Sequence, residues 1–200
     1  CNFLFGGVHP ETGEYYTNYH FDGGGWGATV EHDGNSVMCP VNGNCRNTPT
    51  EILETKYPLL TLEYSMRTDS GGAGKYRGGL GSKRVLRVVS PEITVSALLD
   101  RTKTNPWGLF GGKQGGAGGL LVKKKGMPDF QTFSEVYGTV SPTKFTRVAL
   151  KEGDEVMILS PGGGGYGSPA ARSLGAVEND VRQGLISVDA AREFYGYEVS

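Results

Sequence analysis

The stretch from Arg67 to Gly81, Arg-Thr-Asp-Ser-Gly-Gly-Ala-Gly-Lys-Tyr-Arg-Gly-Gly-Leu-Gly, constrains this chain more than any other. An apolar β-type run from Tyr57 to Met66 precedes it, and a second run from Ser82 to Val89 follows. Strands therefore flank a glycine-dense connection that also carries Arg67, Asp69, Ser70, Lys75 and Arg77. Glycine lets a backbone approach a ligand or another backbone closely. The loop is thus either a tightly packed structural connection or a surface facing a ligand or another subunit. A nucleotide P-loop does not fit. Gly74-Lys75 is followed by Tyr76 instead of Ser or Thr, and a strand follows where a helix N-terminus is needed.

Glycine accounts for 33 of the 200 residues, well above the usual ~7%. The glycines have no three-residue period and cluster between apolar runs, which excludes collagen and a disordered tract. A net charge of -1 offers no basic bias towards nucleic acid or an anionic membrane. No apolar run approaches the ~20 residues of a membrane helix. Three cysteines, Cys1, Cys39 and Cys45, argue against a disulfide framework and favour a reducing, cytoplasmic setting. Cys39 and Cys45 lack the second pair that a zinc site needs. Cys1–Phe5 reads as a strand already under way, so these residues are expected to be part of a longer polypeptide. The alternative is a processed N-terminal Cys nucleophile.

Along the chain, Phe3 to His20 reads as a hairpin turning at Pro10–Gly13. Phe21–Gly27 then bends around something, in a region holding His20, Asp22, His32 and Asp33. Their spacing matches no helix-borne metal pair, and no metal is placed there. Thr48 and Pro49 are expected to cap and open a short helix bearing Glu51 and Glu54. Glu92–Leu99 is a strand, followed by a second glycine connection that carries Arg101, Lys103, Trp107 and Lys113. Leu120–Lys125 reads as an edge strand, and Glu155–Ser160 as a buried one ending in the third glycine loop, Pro161–Pro169. Helical periodicity appears only at the end. Val177 and Val181 share a face, Gly184 stops that helix, and Ser187 caps another carrying Ala191 and Phe194. The expected fold is α+β and predominantly β: an antiparallel or mixed sheet body over 1–165 and a C-terminal helical hairpin over 166–200.

These pieces together resemble the hydantoinase B/oxoprolinase family. Glu51 to Pro58 is similar to its Pro-x-Glu-x-x-Glu-x-x-x-Pro element, and Tyr64–Gly81 to its most recognisable signature. Asp100-Arg101 with Pro106–Gly112, then Pro161–Pro169, Asp180–Ser187 and Ala190–Tyr195, complete the likeness in order. The resemblance implies the C-terminal portion of a B-type subunit. Such a subunit acts with a hydantoinase A-like partner that binds ATP and Mg2+ and activates the substrate by phosphorylation. Outcomes in the family are ATP-dependent opening of hydantoins, 5-oxoproline and lactams, and carboxylation of ketones. Its divalent metal belongs to the N-terminal portion of the subunit, so no metal ligand is carried onto these residues and the segment alone is expected to be inactive.

Transferring phosphate and stabilising a developing oxyanion require cations and backbone N–H donors held rigidly. Arg67, Arg77 and Arg101 are the candidate catalytic cations, with Asp69 orienting an arginine. His20, Asp22 and Trp107 are candidate substrate-binding residues. A pocket built partly from Tyr19, Phe21, Trp26 and Trp107 would suit an apolar ketone or lactam. The competing expectation is a non-catalytic assembly module whose glycine loops pack against other subunits.

Overall fold

In the computed structural model, which describes residues 1–39 and 47–198, nine strands form two antiparallel sheets. The first sheet has the order β2-β1-β5-β8: β1 is Asn2–Val8, β2 Tyr15–Phe21, β5 Glu92–Leu98 and β8 Lys144–Lys151. The second has the order β3-β4-β9-β6-β7: β3 is Leu59–Met66, β4 Ser82–Val88, β9 Glu155–Leu159, β6 Gly119–Lys123 and β7 Gln131–Thr132. The predominantly β architecture read from the sequence is therefore the one observed.

Alternation along the strands explains the layering. Phe3 and Phe5 of β1, with Ile93, Val95 and Ala97 of β5, face Leu86 and Val88 of β4, Leu120 and Val122 of β6 and Val156 and Ile158 of β9. Inward residues recur every second position, so the two apolar faces close on one another as a sandwich. Two short helices seal its borders: α1 (Thr50–Lys56) contributes Leu53 and α2 (Phe133–Tyr137) contributes Phe133. Helix α2 opens with a reciprocal capping box between Thr132 and Glu135.

The β1–β2 hairpin turns where expected, with Gly13 at φ +71° and its N–H bonded to the His9 carbonyl. Two local expectations differ. Helix α1 begins at Thr50 with Pro49 outside it, because Pro49 holds an extended ψ of 141° and supplies no capping side chain. Strand β6 is not an edge, since it is paired with β9 along its length and with two residues of β7. Its last residue, Lys123, is paired with Glu155 of β9 and bonds that carboxylate at 2.8 Å. Cys45, weighed above as a metal ligand, lies outside the described residues.

At the C-terminus, α3 (Leu174–Arg182) and α4 (Val188–Tyr195) form the expected helical hairpin. Gly184 is left-handed after α3, and the Ser187 side chain accepts the Ala190 N–H to cap α4. Val177, Ile186 and Ala191 make a small apolar core of their own. No helix among the described residues is long and apolar enough to cross a membrane.

Candidate functional site

Strands β2, β3, β5 and β9 end, and β4 and β6 begin, at the same end of the sandwich. All the glycine-rich connections consequently meet there, and they pack on one another. The third loop runs through the middle. The Gly163 N–H donates to the Gly79 carbonyl, Gly165 to Lys113 and Gly162 to Gly116. In return, the Gly163 carbonyl accepts from Gly72, that of Gly164 from Ala28 and that of Gly165 from Leu109. The segment is thus bonded to three separate neighbours, 24–28, 70–81 and 106–116, instead of to one ladder partner.

Such a bundle excludes side chains. A Cβ on Gly162 would fall on the Ser70 carbonyl, on Gly163 on that of Trp26, on Gly164 on that of Trp107, and on Gly165 on that of Ala73. None of these four glycines has a positive φ. They are required for proximity, as in other crowded backbone bundles, and not for turning. The glycine loops converge, and the product is a buried hub.

The charged residues of the loops serve this hub in different ways. Arg67 leaves the end of β3 and donates from one nitrogen to the carbonyls of Ala117 (2.9 Å) and Ser160 (2.5 Å), tying two glycine loops to the third. Burial lowers its pKa. Asp69, held at φ +64°, accepts the Ser187 N–H at 2.7 Å and so anchors α4. Arg77 is buried; it donates to the Gly78 carbonyl at 2.7 Å and pairs with Asp180 of α3 at 3.3 Å. Arg172 completes that junction, gripping both oxygens of Asp33 at 2.7 Å and Asp180 at 2.7 Å. Burial alone would raise the Asp33 pKa, but the Arg172 bonds and the Arg77 N–H outweigh it and hold the carboxyl below its usual range.

His20 and Asp22 come together at the end of β2, His20 Nε2 lying 3.4 Å from Asp22. Both are buried, and Arg84 of β4 binds the carboxylate through Nε and Nη2 at 3.0–3.2 Å. Tyr64 lies over the Arg84 guanidinium at 3.7 Å. Burial again opposes ionisation of Asp22, and His20 and Arg84 overcome it, lowering its pKa. The candidates thus fall into separate places. Only Arg101 and Trp107 face solvent together, the guanidinium 4.6 Å from a ring that is 64% exposed, with Arg101 at φ +56°.

Arg84, Arg172 and Asp180 were not singled out from the sequence. Arg84 carried a usable signal, a charge two residues from Ser82 and Leu86 on the inward face of β4. Arg172 and Asp180 carried none as an ion-pair junction, since Arg172 meets Asp33 across 139 residues and Asp180 meets Arg77 across 103. Among the described residues no three His, Cys, Asp or Glu side chains converge as a metal cluster.

Comparison with known proteins gives one consistent result. The model of the hydantoinase B/oxoprolinase family matches residues 1–169. The caprolactamase β subunit of Pseudomonas jessenii is 38% identical over 147 residues, 73% of this chain and 24% of that one. The crystal structure of the ATP-dependent caprolactamase from the same organism superposes with a TM-score of 0.82 at 27% identity, covering 99% of this chain and 34% of that chain. Acetone carboxylase in its nucleotide-free form shares the fold, with a TM-score of 0.78 at 24% identity, covering 100% of this chain and 30% of that one. The chain spans less than a third of the length of the curated relatives it matches.

Proposed function

The chain belongs to the hydantoinase B/oxoprolinase family, and from that premise we propose that it is part of the B-type subunit of an ATP-dependent amidohydrolase that opens a cyclic amide. It acts with an ATP-binding, hydantoinase A-like subunit and with the remainder of its own subunit. The observation that carries this reading is the likeness to a caprolactamase β subunit, at 38% identity over 73% of the chain. Amides resist water because of their resonance. Transfer of a phosphoryl group to the amide oxygen removes that resonance and leaves the carbon open to attack, while fixed cations and N–H donors stabilise the developing charge.

Within this scheme Arg101 is the residue that reaches substrate or the partner subunit, with Trp107 beside it offering an apolar ring. The absence of a salt bridge to Arg101 among the described residues and the exposure of Trp107 support that role. Arg67, Asp69 and Arg77 act as positioning residues, because their polar atoms are engaged in joining the loops and the helical hairpin. His20 and Asp22 hold Arg84 and the start of the 22–39 segment in place. ATP, its Mg2+ and the family's divalent metal belong to the partner and to the rest of the subunit.

That same engagement of Arg67, Asp69 and Arg77 favours a second reading, an assembly module without catalytic residues. The test is the complete subunit co-expressed with its ATP-binding partner, assayed for ADP release stimulated by 5-oxoproline, hydantoin and caprolactam. Stimulation by a cyclic amide supports the proposal, and its absence with all three refutes it. Arg101→Ala then separates the readings. Lost turnover in an intact complex places Arg101 at the reaction, and a dissociated complex makes the segment an assembly module.

A further inference from the structure

A cavity of about 310 Å³ opens at the hub end of the sandwich, between the segment that leaves β5 and the one that enters β8. Arg101, Lys103 and Lys144 line it against a single carboxylate, Asp100. That carboxylate is already matched by Lys144 at 2.8 Å. Lys103 makes no ion pair among the described residues, and Arg101 lies over the Trp107 ring while sharing Asp100 with Lys144, so three positive charges beside the cavity face one carboxylate. Between the cations stand hydroxyls: Thr102 and Thr143 contact each other at 3.1 Å, and Thr143 is buried. The chain's turn through Arg101 at φ +56° leaves the N–H groups of residues 101–104 without a backbone acceptor among the described residues. Successive free amides around a left-handed residue form a concavity suited to anions.

We propose that this cavity binds a small phosphorylated molecule through its phosphoryl group. Two lysine ammoniums, a guanidinium, hydroxyls and amides arriving from several directions match a tetrahedral dianion, which carries more charge and more acceptor oxygens than a carboxylate. The cavity is larger than a bare phosphate needs and sits at the small end of ligand-sized pockets, with Trp107 next to Arg101 for an apolar remainder. The proposal deepens the role given to Arg101 above and rests on that reading. Its test requires no turnover, so an enzyme found inactive on cyclic amides and a cavity found empty of phosphate are separate results.

The experiment is a titration of the isotope-labelled protein with inorganic phosphate at constant ionic strength, followed by amide chemical shifts, with acetate as the carboxylate control. Saturable shifts at residues 101–104 and 143–144 are expected for phosphate, with at least tenfold weaker binding of acetate. Lys103→Glu, an exposed substitution, should weaken phosphate binding tenfold or more, while Lys151→Glu on the same sheet leaves it unchanged. Equal shifts with acetate, equal weakening by both variants, or shifts of similar size around Lys124 and Lys125 at the far end of the sandwich would each overturn the proposal.

Discussion

Gly163→Ala tests the packing of the hub most directly. The new methyl would fall on the Trp26 carbonyl, with the Gly27 N–H group also inside contact distance. Both neighbours are backbone, so neither can rotate away and whole segments must separate. Separation strains two hydrogen bonds, Gly163 N–H to the Gly79 carbonyl and Gly72 N–H to the Gly163 carbonyl, both 2.8 Å long. Each contributes about 1 kcal/mol, and overpacking adds about 1–3 kcal/mol. The sum, about 3–5 kcal/mol, is a large share of the 5–15 kcal/mol that is typical for a domain. With a urea slope near 3 kcal/mol/M, the midpoint should fall by about 1 M or more, read by circular dichroism. Gly175→Ala is the control. It lies in α3 with nothing within 4 Å of a new Cβ and no positive φ, so it should stabilise by about 0.5 kcal/mol. A Gly163→Ala protein within about 0.5 kcal/mol of the parent would refute the argument that proximity selects these glycines.

Other outcomes follow from the polar contacts. Asp180→Asn leaves the buried Arg77 without its carboxylate and should cost about 3 kcal/mol; hydrogen exchange should rise first in α3 and α4, and unchanged protection there would show that the ion pairs do not hold the hairpin. Asp22 and Asp33 both titrate below their usual values when folded. The unfolded chain therefore takes up protons first, and stability, complete at neutral pH, falls as pH drops below about 4. Melting temperatures between pH 6 and 3 should show this, with a shallower fall in Asp33→Asn. The Tyr137 phenol is pushed up to about 12 by burial and by Asp154, so its neutral form stabilises the fold up to about pH 10 and that contribution fades above it. Absorbance at 295 nm should lose its latest-titrating phenol in Tyr137→Phe. Thr132→Ala removes the α2 capping box and should cost about 1 kcal/mol in denaturant melts.

Period-two alternation made the strands readable without coordinates, because each has one face turned to a shared core. Val177, Val181, Gly184 and Ser187 did the same for the C-terminal helices, where spacing, stop and cap are local properties. The ordered glycine motifs also carried the family. What local pattern left open was the purpose of the glycines, since a run such as Gly162–Gly165 looks alike whether it cradles a ligand or another backbone. Only the assembled structure shows Ser70, Trp26, Trp107 and Ala73 carbonyls standing where Cβ atoms would be. The fate of the arginines was equally non-local. Arg77 and Arg101 both lie on connections that join strands and carry glycine runs, yet Asp180, 103 residues away, takes the first into the interior while the second stays at the surface. Sequence by itself determined most of the strands, the C-terminal helices and the family, because these depend on neighbours a few residues apart, while β7, α2 and β8 were not read from it. Tertiary structure decided which charges are buried and which remain free, because that depends on partners that meet only when the loops converge.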